Sequence, residues 1–248
     1  MGITRSLFRR FVPSSIRRRL TRLAVHPPVG SVDFGDLRVT RPISTNWGYD
    51  RGTPIDRHYI ERFLEAHARD IRGRALEVKD DTYVSRFGVA VESVDTLLPH
   101  REGSATVVAD LTRPEQLPAD TYDCFVCTQV LQFIDDVAAA IAGCRRVLRP
   151  GGVLLVTVPA ISRTEGAPED SSGDYWRFTP RSAERLFGAD FGPDAVRVSL
   201  YGNVLSATAF LHGLAAEELT AAELDLADPE FPVIVGIRAQ VGPESANP

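Results

Sequence analysis

Two aromatic side chains and several polar groups are concentrated in one short loop near the start of the chain. The run Asn46-Trp47-Gly48-Tyr49-Asp50-Arg51-Gly52 places Trp47, Tyr49 and Asp50 beside glycines, which favour turns. Aromatic rings next to polar groups suit a lid over a site, or a surface on which a sugar ring stacks. An ordered loop that closes the edge of a sheet would use the same residues, so both interpretations stay open.

Further candidates for ligand binding and proton transfer lie in the second half of the chain. In the run Asp174-Tyr175-Trp176-Arg177-Phe178, Tyr175 or Trp176 is predicted to face a cleft and Phe178 to join the core. His212 lies in an Ala- and Leu-rich helical segment and could act as a general base near neutral pH. A histidine held by packing and a hydrogen bond is the more common case.

The residue types that bind metals are too dispersed to predict a metal site. The five histidines are far apart in the sequence, and no spacing of histidine and carboxylate recurs. Cys124 and Cys127 lie three apart in an apolar, strand-like run, so their side chains should face opposite sides of a sheet. Three cysteines are also too few for a disulfide framework. We predict no metal and buried free thiols.

Short apolar runs alternate with amphipathic segments over most of the chain, which is typical of strand-helix crossovers and a parallel sheet. The predicted strands are residues 75–78, 88–94, 105–109, 122–127, 153–158, 196–201 and 233–241. Helices are predicted from Ile55, from Val137 and from Pro180, where Thr179 would cap the first turn. An Ala- and Leu-rich helical insert is predicted at about residues 203–228.

Composition and charge exclude several classes of protein. The chain has 248 residues, of which 44% are hydrophobic, and this is enough for one sizeable core. A formal net charge of -5 gives no overall attraction for nucleic acid. No apolar stretch approaches the roughly 20 residues that span a bilayer, and no signal peptide is evident. We therefore predict a cytoplasmic protein.

The first part of the sequence has a separate character. Residues 1–32 contain seven arginines and no acidic residue. Apolar residues between Ser6 and Leu23 are interleaved with these arginines, which favours either peripheral membrane contact or an arm or helix packed on the domain. Arginine outnumbers lysine 27 to 1 in the whole chain, a bias that fits a GC-rich bacterial source. The single lysine is Lys79.

Three segments in the middle of the chain carry a resemblance to a known family. They are Tyr122-Asp123-Cys124-Phe125-Val126-Cys127, Phe133-Ile134-Asp135-Asp136, and the turn Arg146-Val147-Leu148-Arg149-Pro150-Gly151-Gly152 with the apolar run after it. Together they resemble class I S-adenosylmethionine-dependent methyltransferases, in particular the methyltransferase type 11-like proteins. The resemblance implies an α/β, doubly wound, Rossmann-like fold. Its mostly parallel seven-stranded sheet would have an antiparallel last strand and helices on both faces.

The resemblance also implies which residues hold S-adenosyl-L-methionine. Asp110, after the third strand, would bind the adenine amino group, and Asp95, or alternatively Glu92, would end the second strand and bind the ribose. Glu77 would face the methionine amino group. The full set of predicted cofactor-binding residues is Glu77, Val78, Lys79, Tyr83, Asp95, Asp110, Leu111, Thr128 and Gln129. The predicted acceptor-binding residues are Trp47, Tyr49, Asp50, Tyr175 and Trp176.

The loop after the first strand departs from the family pattern. Most members have glycines there, whereas this chain has Leu76-Glu77-Val78-Lys79-Asp80-Asp81-Thr82-Tyr83, with Lys79 in place of the first glycine. Three possibilities follow: the cofactor is displaced, Lys79 turns away while Asp80 or Tyr83 closes the pocket, or the site no longer binds it. A similar L-E-[IV]-K-D-x-x-Y run occurs in an actinobacterial group, found beside glycosyltransferases, which this chain also resembles.

Two functions from different classes therefore remain. The first is a methyltransferase acting on a small-molecule acceptor, such as a sugar or another hydroxylated metabolite. The second is a non-catalytic module with the same fold that partners a glycosyltransferase. Use of the cofactor without methyl transfer, for example in a cyclisation, is a third and less favoured alternative. We predict a basic arm and lid segment in residues 1–54 and a methyltransferase domain in residues 55–242.

Overall fold

The computed structural model describes residues 27–101, 105–165 and 173–243. A seven-stranded sheet forms the centre of the unit that comprises residues 42–248. The strand order is β3-β2-β1-β4-β5-β7-β6. Strands β1 to β5 pair in parallel, and β7 is antiparallel to both β5 and β6. The strands are β1 Arg72–Val78, β2 Ala90–Leu98, β3 Val107–Val108, β4 Tyr122–Thr128, β5 Leu148–Pro159, β6 Val196–Tyr201 and β7 Ile234–Gln240.

Helices cover both faces of the sheet. On one face, the helices α1 (Ile55–Ala66) and α2 (Thr82–Phe87) pack through residues such as Phe63 and Val84 against one core cluster. On the other, α3 and α4 pack through Ile141 and Phe187 against a second cluster. The α-helices are α1 Ile55–Ala66, α2 Thr82–Phe87, α3 Val137–Val147, α4 Pro180–Phe191, α5 Val204–Leu211 and α6 Ala221–Asp225. The predicted doubly wound fold class is confirmed.

Local sequence explains where several helices begin. Thr179 and Ser182 form a reciprocal capping box, and Pro180 occupies the first turn of α4, as predicted. Asn203 and Ser206 form a second capping box at the start of α5. Cys124 and Cys127 are buried in the clusters on opposite faces of the sheet, in agreement with the period of a strand. All three cysteines are free thiols.

Several element boundaries differ from the sequence-based prediction. β2 continues to Leu98, four residues beyond its predicted end, and β3 contains only two residues. The predicted helical insert is not continuous, because α5 ends at Leu211 and is followed by a 3-10 turn, Ala216–Glu218, before α6. Gly213 breaks the helical path between them with a φ of +68°.

The chain divides into two units, residues 1–41 and 42–248. The described part of the first unit contains one 3-10 turn, Gly35–Leu37. The predicted basic arm in residues 6–23 lies outside the described residues. Within the described residues, no helix is both long enough and apolar enough to cross a membrane. The predicted boundary at residue 54 stays a prediction.

Candidate functional site

The larger of two adjoining cavities lies where the strand order of the sheet reverses. Its walls include Val78 and Lys79 after β1 and Thr128 and Gln129 after β4, and its volume is about 750 Å³. Open α/β sheets bind ligands at this position, beyond the carboxyl ends of the strands. The lining residues are Tyr49, Gly52, Thr53, Pro54, Arg57, Glu61, Glu77, Val78, Lys79, Asp80, Thr82, Tyr83, Arg86, Leu98, Thr128, Gln129 and Val130.

Glu77 organises the loop after β1. Its side chain is almost fully buried and accepts hydrogen bonds from the backbone N–H groups of Tyr83, at 3.1 Å, and Val84, at 2.8 Å. These donors belong to the first turn of α2, where backbone N–H groups have no partner within the helix. Burial raises the pKa of the Glu77 carboxyl to about 7, and the two N–H groups only partly oppose this effect.

The backbone at Lys79 has a conformation that glycine adopts readily. Its φ is +77°, in the left-handed region that side chains disfavour. Trp47 and Gln129 also have positive φ values, of +57° and +55°. All three line the cavities, and Asp120 is the one other non-glycine residue with positive φ in the described part of the chain. Backbone strain of this kind clusters at functional sites.

Replacing Lys79 by glycine is expected to stabilise the fold. Glycine adopts the observed φ without strain, and we expect the free energy of unfolding in urea to rise by about 1 kcal/mol after allowance for the freer unfolded chain. Lys79→Ala is the matched control, because it removes the charged side chain but keeps the strain. Equal stability of the two variants would contradict the strained backbone.

The structure places six of the nine predicted cofactor residues in the lining of the larger cavity. These are Glu77, Val78, Lys79, Tyr83, Thr128 and Gln129. Asp110 follows β3 as expected, but its carboxylate accepts hydrogen bonds from the N–H and hydroxyl of Thr112, both at 2.8 Å. Leu111 is buried in the core. Neither lines the two cavities, and their adenine contact stays a prediction.

The prediction that Asp95 ends the second strand is wrong. Asp95 lies inside β2, opposite Leu76, and its carboxylate accepts hydrogen bonds from Arg74 and from the Tyr122 hydroxyl. Glu92 lies still earlier in β2. The carboxyl end of the strand is instead Leu98, which lines the larger cavity.

A second cavity of about 170 Å³ adjoins the first beyond β4 and β5. Tyr49, Arg57 and Gln129 line both cavities. The Arg57 guanidinium donates to the hydroxyls of Tyr49, at 3.0 Å, and Tyr83, at 2.9 Å, and so holds the shared wall together. The other lining residues are Trp47, Asp56, Gln132, Phe133, Pro159, Ser162, Arg163, Glu165, Asp174, Phe210 and Ile234.

Three side chains of the smaller cavity have buried polar atoms without a hydrogen-bond partner. They are Oδ1 of Asp56, Nε2 of Gln129 and Oε1 of Gln132. The two glutamines are joined by one hydrogen bond of 3.2 Å. Asp56 lies in the first turn of α1, and burial raises the pKa of its carboxyl. Buried polar groups are usually paired, so three unpaired atoms in one region are unusual.

The predicted acceptor residues divide between the cavity and its surroundings. Trp47 and Tyr49 line the smaller cavity. The indole of Trp47 packs against Phe210 and the guanidinium of Arg163, which lies 3.9 Å from its ring centroid, so its ring already contacts protein groups.

Two of the other predicted acceptor residues, Asp50 and Trp176, have structural partners instead. Asp50 accepts a hydrogen bond from Ser44 within its own loop, and Trp176 donates to the backbone of Ile134. Tyr175 is exposed, and Asp174 of the same run lines the cavity in place of the predicted aromatics. His212 ends α5 as its C-cap and is not in the lining of either cavity.

Sequence reasoning missed Asp56, Arg57 and Gln132. Asp56 and Arg57 directly follow the loop that the aromatic residues had marked, and Gln132 follows β4 by four residues. These three residues lie next to segments that were already predicted to contain site residues, and this position was the signal that could have identified them. Within the described residues, no group of three or more His, Cys, Asp or Glu side chains could hold a metal ion.

Comparisons with known proteins agree with this arrangement. The family model described as "Methyltransferase domain" matches residues 74–156, which contain the segments after β1 and β4. No curated protein sequence matches the chain. The strand order and the family match together indicate a Rossmann-like fold of the methyltransferase type.

Several solved structures are similar at low identity. A phosphoethanolamine N-methyltransferase 2 from Haemonchus contortus is 13% identical, with a TM-score of 0.47; the match covers 75% of this chain and 53% of that one, about half its length. An S-adenosylmethionine-dependent methyltransferase from Mesorhizobium loti is 17% identical, with a TM-score of 0.45; the match covers 78% of this chain and 100% of that one. An S-adenosylmethionine-dependent methyltransferase from Thermotoga maritima is 14% identical, with a TM-score of 0.49; the match covers 77% of this chain and 94% of that one.

Proposed function

We propose that this protein is an S-adenosylmethionine-dependent methyltransferase that acts on a small-molecule acceptor, such as a sugar or another hydroxylated metabolite. The observation that carries the proposal is the cavity of about 750 Å³ at the reversal of strand order, because most of its lining residues lie in the segment that matches a methyltransferase domain. This volume lies within the range of pockets that bind cofactors.

The residues of the larger cavity fit the cofactor. Glu77 supplies a carboxylate that suits a cationic amino group, and the left-handed backbone at Lys79 keeps the turn that a glycine would give. Thr128 and Gln129 form the opposite wall. When bound, S-adenosylmethionine supplies a methyl group on a cationic sulfur. The retained turn at Lys79 supports binding over the non-catalytic alternative.

The contribution of the protein to such a reaction is mainly alignment. Displacement at a methyl group needs the nucleophile in line with the bond that breaks, and correct positioning lowers the barrier considerably. Here the smaller cavity shares a wall with the larger one, so an acceptor there would lie next to the cofactor. Partnership with a glycosyltransferase and contact with a membrane remain further proposals.

Calorimetric titration with S-adenosylhomocysteine tests this function. We expect binding, and an affinity lowered about 10-fold or more in Asp80→Trp, because the larger side chain would occupy the cavity. Asp81→Trp is the matched control. Both aspartates are exposed and accept one local hydrogen bond, but only Asp80 lines the cavity. Absence of heat and of thermal stabilisation at millimolar ligand would exclude the proposed function.

A further inference from the structure

Arg57 has hydrogen-bond donors that the described part of the protein does not use. A guanidinium carries five N–H donors. Nε donates to the Tyr49 hydroxyl and Nη1 to the Tyr83 hydroxyl, whereas Nη2 donates to no described residue. Nη2 is not one of the buried unpaired atoms either, so it is accessible to solvent. The Arg57 side chain is 34% exposed and lines both cavities, so its free donors are available to a ligand.

The two tyrosines add donors beside this guanidinium. Each hydroxyl accepts a hydrogen bond from Arg57, and neither donates its own proton to a described residue. Burial raises the pKa of Tyr83, so its hydroxyl keeps that proton at neutral pH. Tyr49 is an exposed side chain, and both tyrosines line the larger cavity. Two hydroxyl donors and a guanidinium therefore lie side by side in one wall of this cavity.

The positive charge of Arg57 also has no hydrogen-bonded carboxylate among the described residues. Asp56 has the one described carboxylate within 4 Å, and its distance of 3.9 Å from Nε is too long for a hydrogen bond. Burial raises the pKa of Asp56, which disfavours the charged form that would pair with Arg57. Arg86 in the same cavity is different, because both carboxylate oxygens of Glu61 bind its guanidinium.

A carboxylate fits the free donors better than a phosphate does. The two oxygens of a carboxylate match two N–H donors of a planar guanidinium. A phosphate would bring up to two negative charges into a cavity that also contains Glu61, Glu77 and Asp80, which would repel it. A single negative charge placed at Arg57 meets less of this repulsion.

We propose that Arg57, together with the hydroxyls of Tyr49 and Tyr83, binds a carboxylate group of a ligand in the larger cavity. The identity of the ligand rests on the proposed methyltransferase function, and two sources of the carboxylate fit the wall. One is the methionine part of the cofactor, because Tyr83 bonds to Arg57 through its hydroxyl and to Glu77 through its N–H. The other is an acceptor with a carboxylate, because Arg57 and Tyr49 also line the smaller cavity.

The decarboxylated analogue of S-adenosylhomocysteine tests the first source. This analogue keeps the amino group and lacks the carboxylate. If the cofactor supplies the group, calorimetric titration of the full chain should show about 10-fold or more tighter binding of S-adenosylhomocysteine than of the analogue. Arg57→Gln should bring the ratio of the two affinities close to one. Arg57→Lys keeps the charge but loses the planar fork, and it should give an intermediate ratio. A high ratio that persists in Arg57→Gln would overturn the proposal.

Arg86→Gln is the matched control. It removes the same charge from the same cavity, but from a guanidinium that is already paired with Glu61. The ratio of the two affinities should stay within about 2-fold of the parent value. An equal fall of the ratio in Arg86→Gln and Arg57→Gln would show that the net charge of the cavity, and no specific subsite, holds the carboxylate. Urea unfolding of each variant checks its fold, and Arg57→Lys carries the test if Arg57→Gln does not fold.

Acetate tests the acceptor as the second source. Carbon-13-labelled acetate, with acetamide as its neutral counterpart, is titrated at constant ionic strength into the full chain saturated with S-adenosylhomocysteine and followed by NMR. If the acceptor supplies the carboxylate, the parent should show a ratio near one in calorimetry and should bind acetate in preference to acetamide. Arg57→Gln should lose this preference, whereas Arg86→Gln should keep it.

The outcomes separate the subsite from the proposed function. A ratio near one with no preference for acetate would overturn the carboxylate subsite, while binding of S-adenosylhomocysteine would still support the proposed function. Failure to bind S-adenosylhomocysteine would overturn the proposed function. In that case the titration of acetate and acetamide into the ligand-free parent and Arg57→Gln decides the subsite: a preference that depends on Arg57 supports it, and its absence overturns it.

Discussion

Replacing Glu77 by glutamine is expected to change how the stability of the protein depends on pH. Burial gives the Glu77 carboxyl a pKa of about 7 in the folded protein, compared with an ordinary value of 4.5 for a glutamate. The folded state therefore holds this proton more tightly than the unfolded state does. The stability that results is complete below pH 4.5 and is lost as the pH rises through 7.

The size of this effect follows from the difference in pKa. A difference of 2.5 units corresponds to about 3 kcal/mol. The stability of the parent relative to Glu77→Gln should fall by about this amount between pH 4.5 and pH 8 in urea unfolding. Taking the difference cancels the titration of groups that the two proteins share. A constant difference across this range would show that Glu77 does not hold its proton in the fold.

Cofactor binding should also change the ionisation of the Glu77 carboxyl. A cationic amino group beside Glu77 would favour the ionised carboxylate, so S-adenosylmethionine should release protons when it binds near pH 6.5. Calorimetry in two buffers with different ionisation enthalpies measures this release. Glu77→Gln should release fewer protons, and equal release would place the amino group elsewhere.

Gly143→Ala is the second substitution with a large expected effect. Gly143 lies inside α3, where alanine alone would favour the helix by about 1 kcal/mol. A Cβ at this position would lie only 2.0 Å from the carbonyl oxygen of Leu111 and 3.0 Å from a methyl carbon of Leu117. The helix would have to move away from the segment after β3, and we expect a net loss of about 3 kcal/mol or more in urea unfolding.

Gly188→Ala in α4 is the matched control. A Cβ there would meet its nearest atom, in Pro193, at an ordinary distance of 3.6 Å. This variant should gain about 0.5 to 1 kcal/mol, as expected from helix propensity alone. Similar changes in the two variants would contradict the close approach of α3 to Leu111.

The sequence was sufficient to predict the sheet but not the end of β2. Central strands such as β4 are continuous apolar runs because both faces are buried. β2 pairs on one side with a β3 of only two residues, so much of it stays exposed and polar residues such as Ser93 and Asp95 are tolerated inside it. The usual apolar signal is therefore weak where β2 continues to Leu98.

The lining of the smaller cavity could not be predicted from the sequence for a different reason. Asp56 and Gln132 are 76 positions apart and show no local motif. What distinguishes them is the absence of a hydrogen-bond partner, which depends on how α1 and the segment after β4 pack. Lys79 was predicted to bind the cofactor, and the structure places it in the lining of the larger cavity, but only the backbone angle shows that it adopts a conformation typical of glycine.

The position of Lys79 has a practical consequence. It is the only lysine in the chain, and its exposed side chain borders the larger cavity. An amine-selective reagent therefore has one side-chain target among the 248 residues. A fluorophore or isotopic label attached there would sit at the cavity entrance without any engineered substitution. Its signal, or its protection from the reagent, would follow occupancy of the cavity directly.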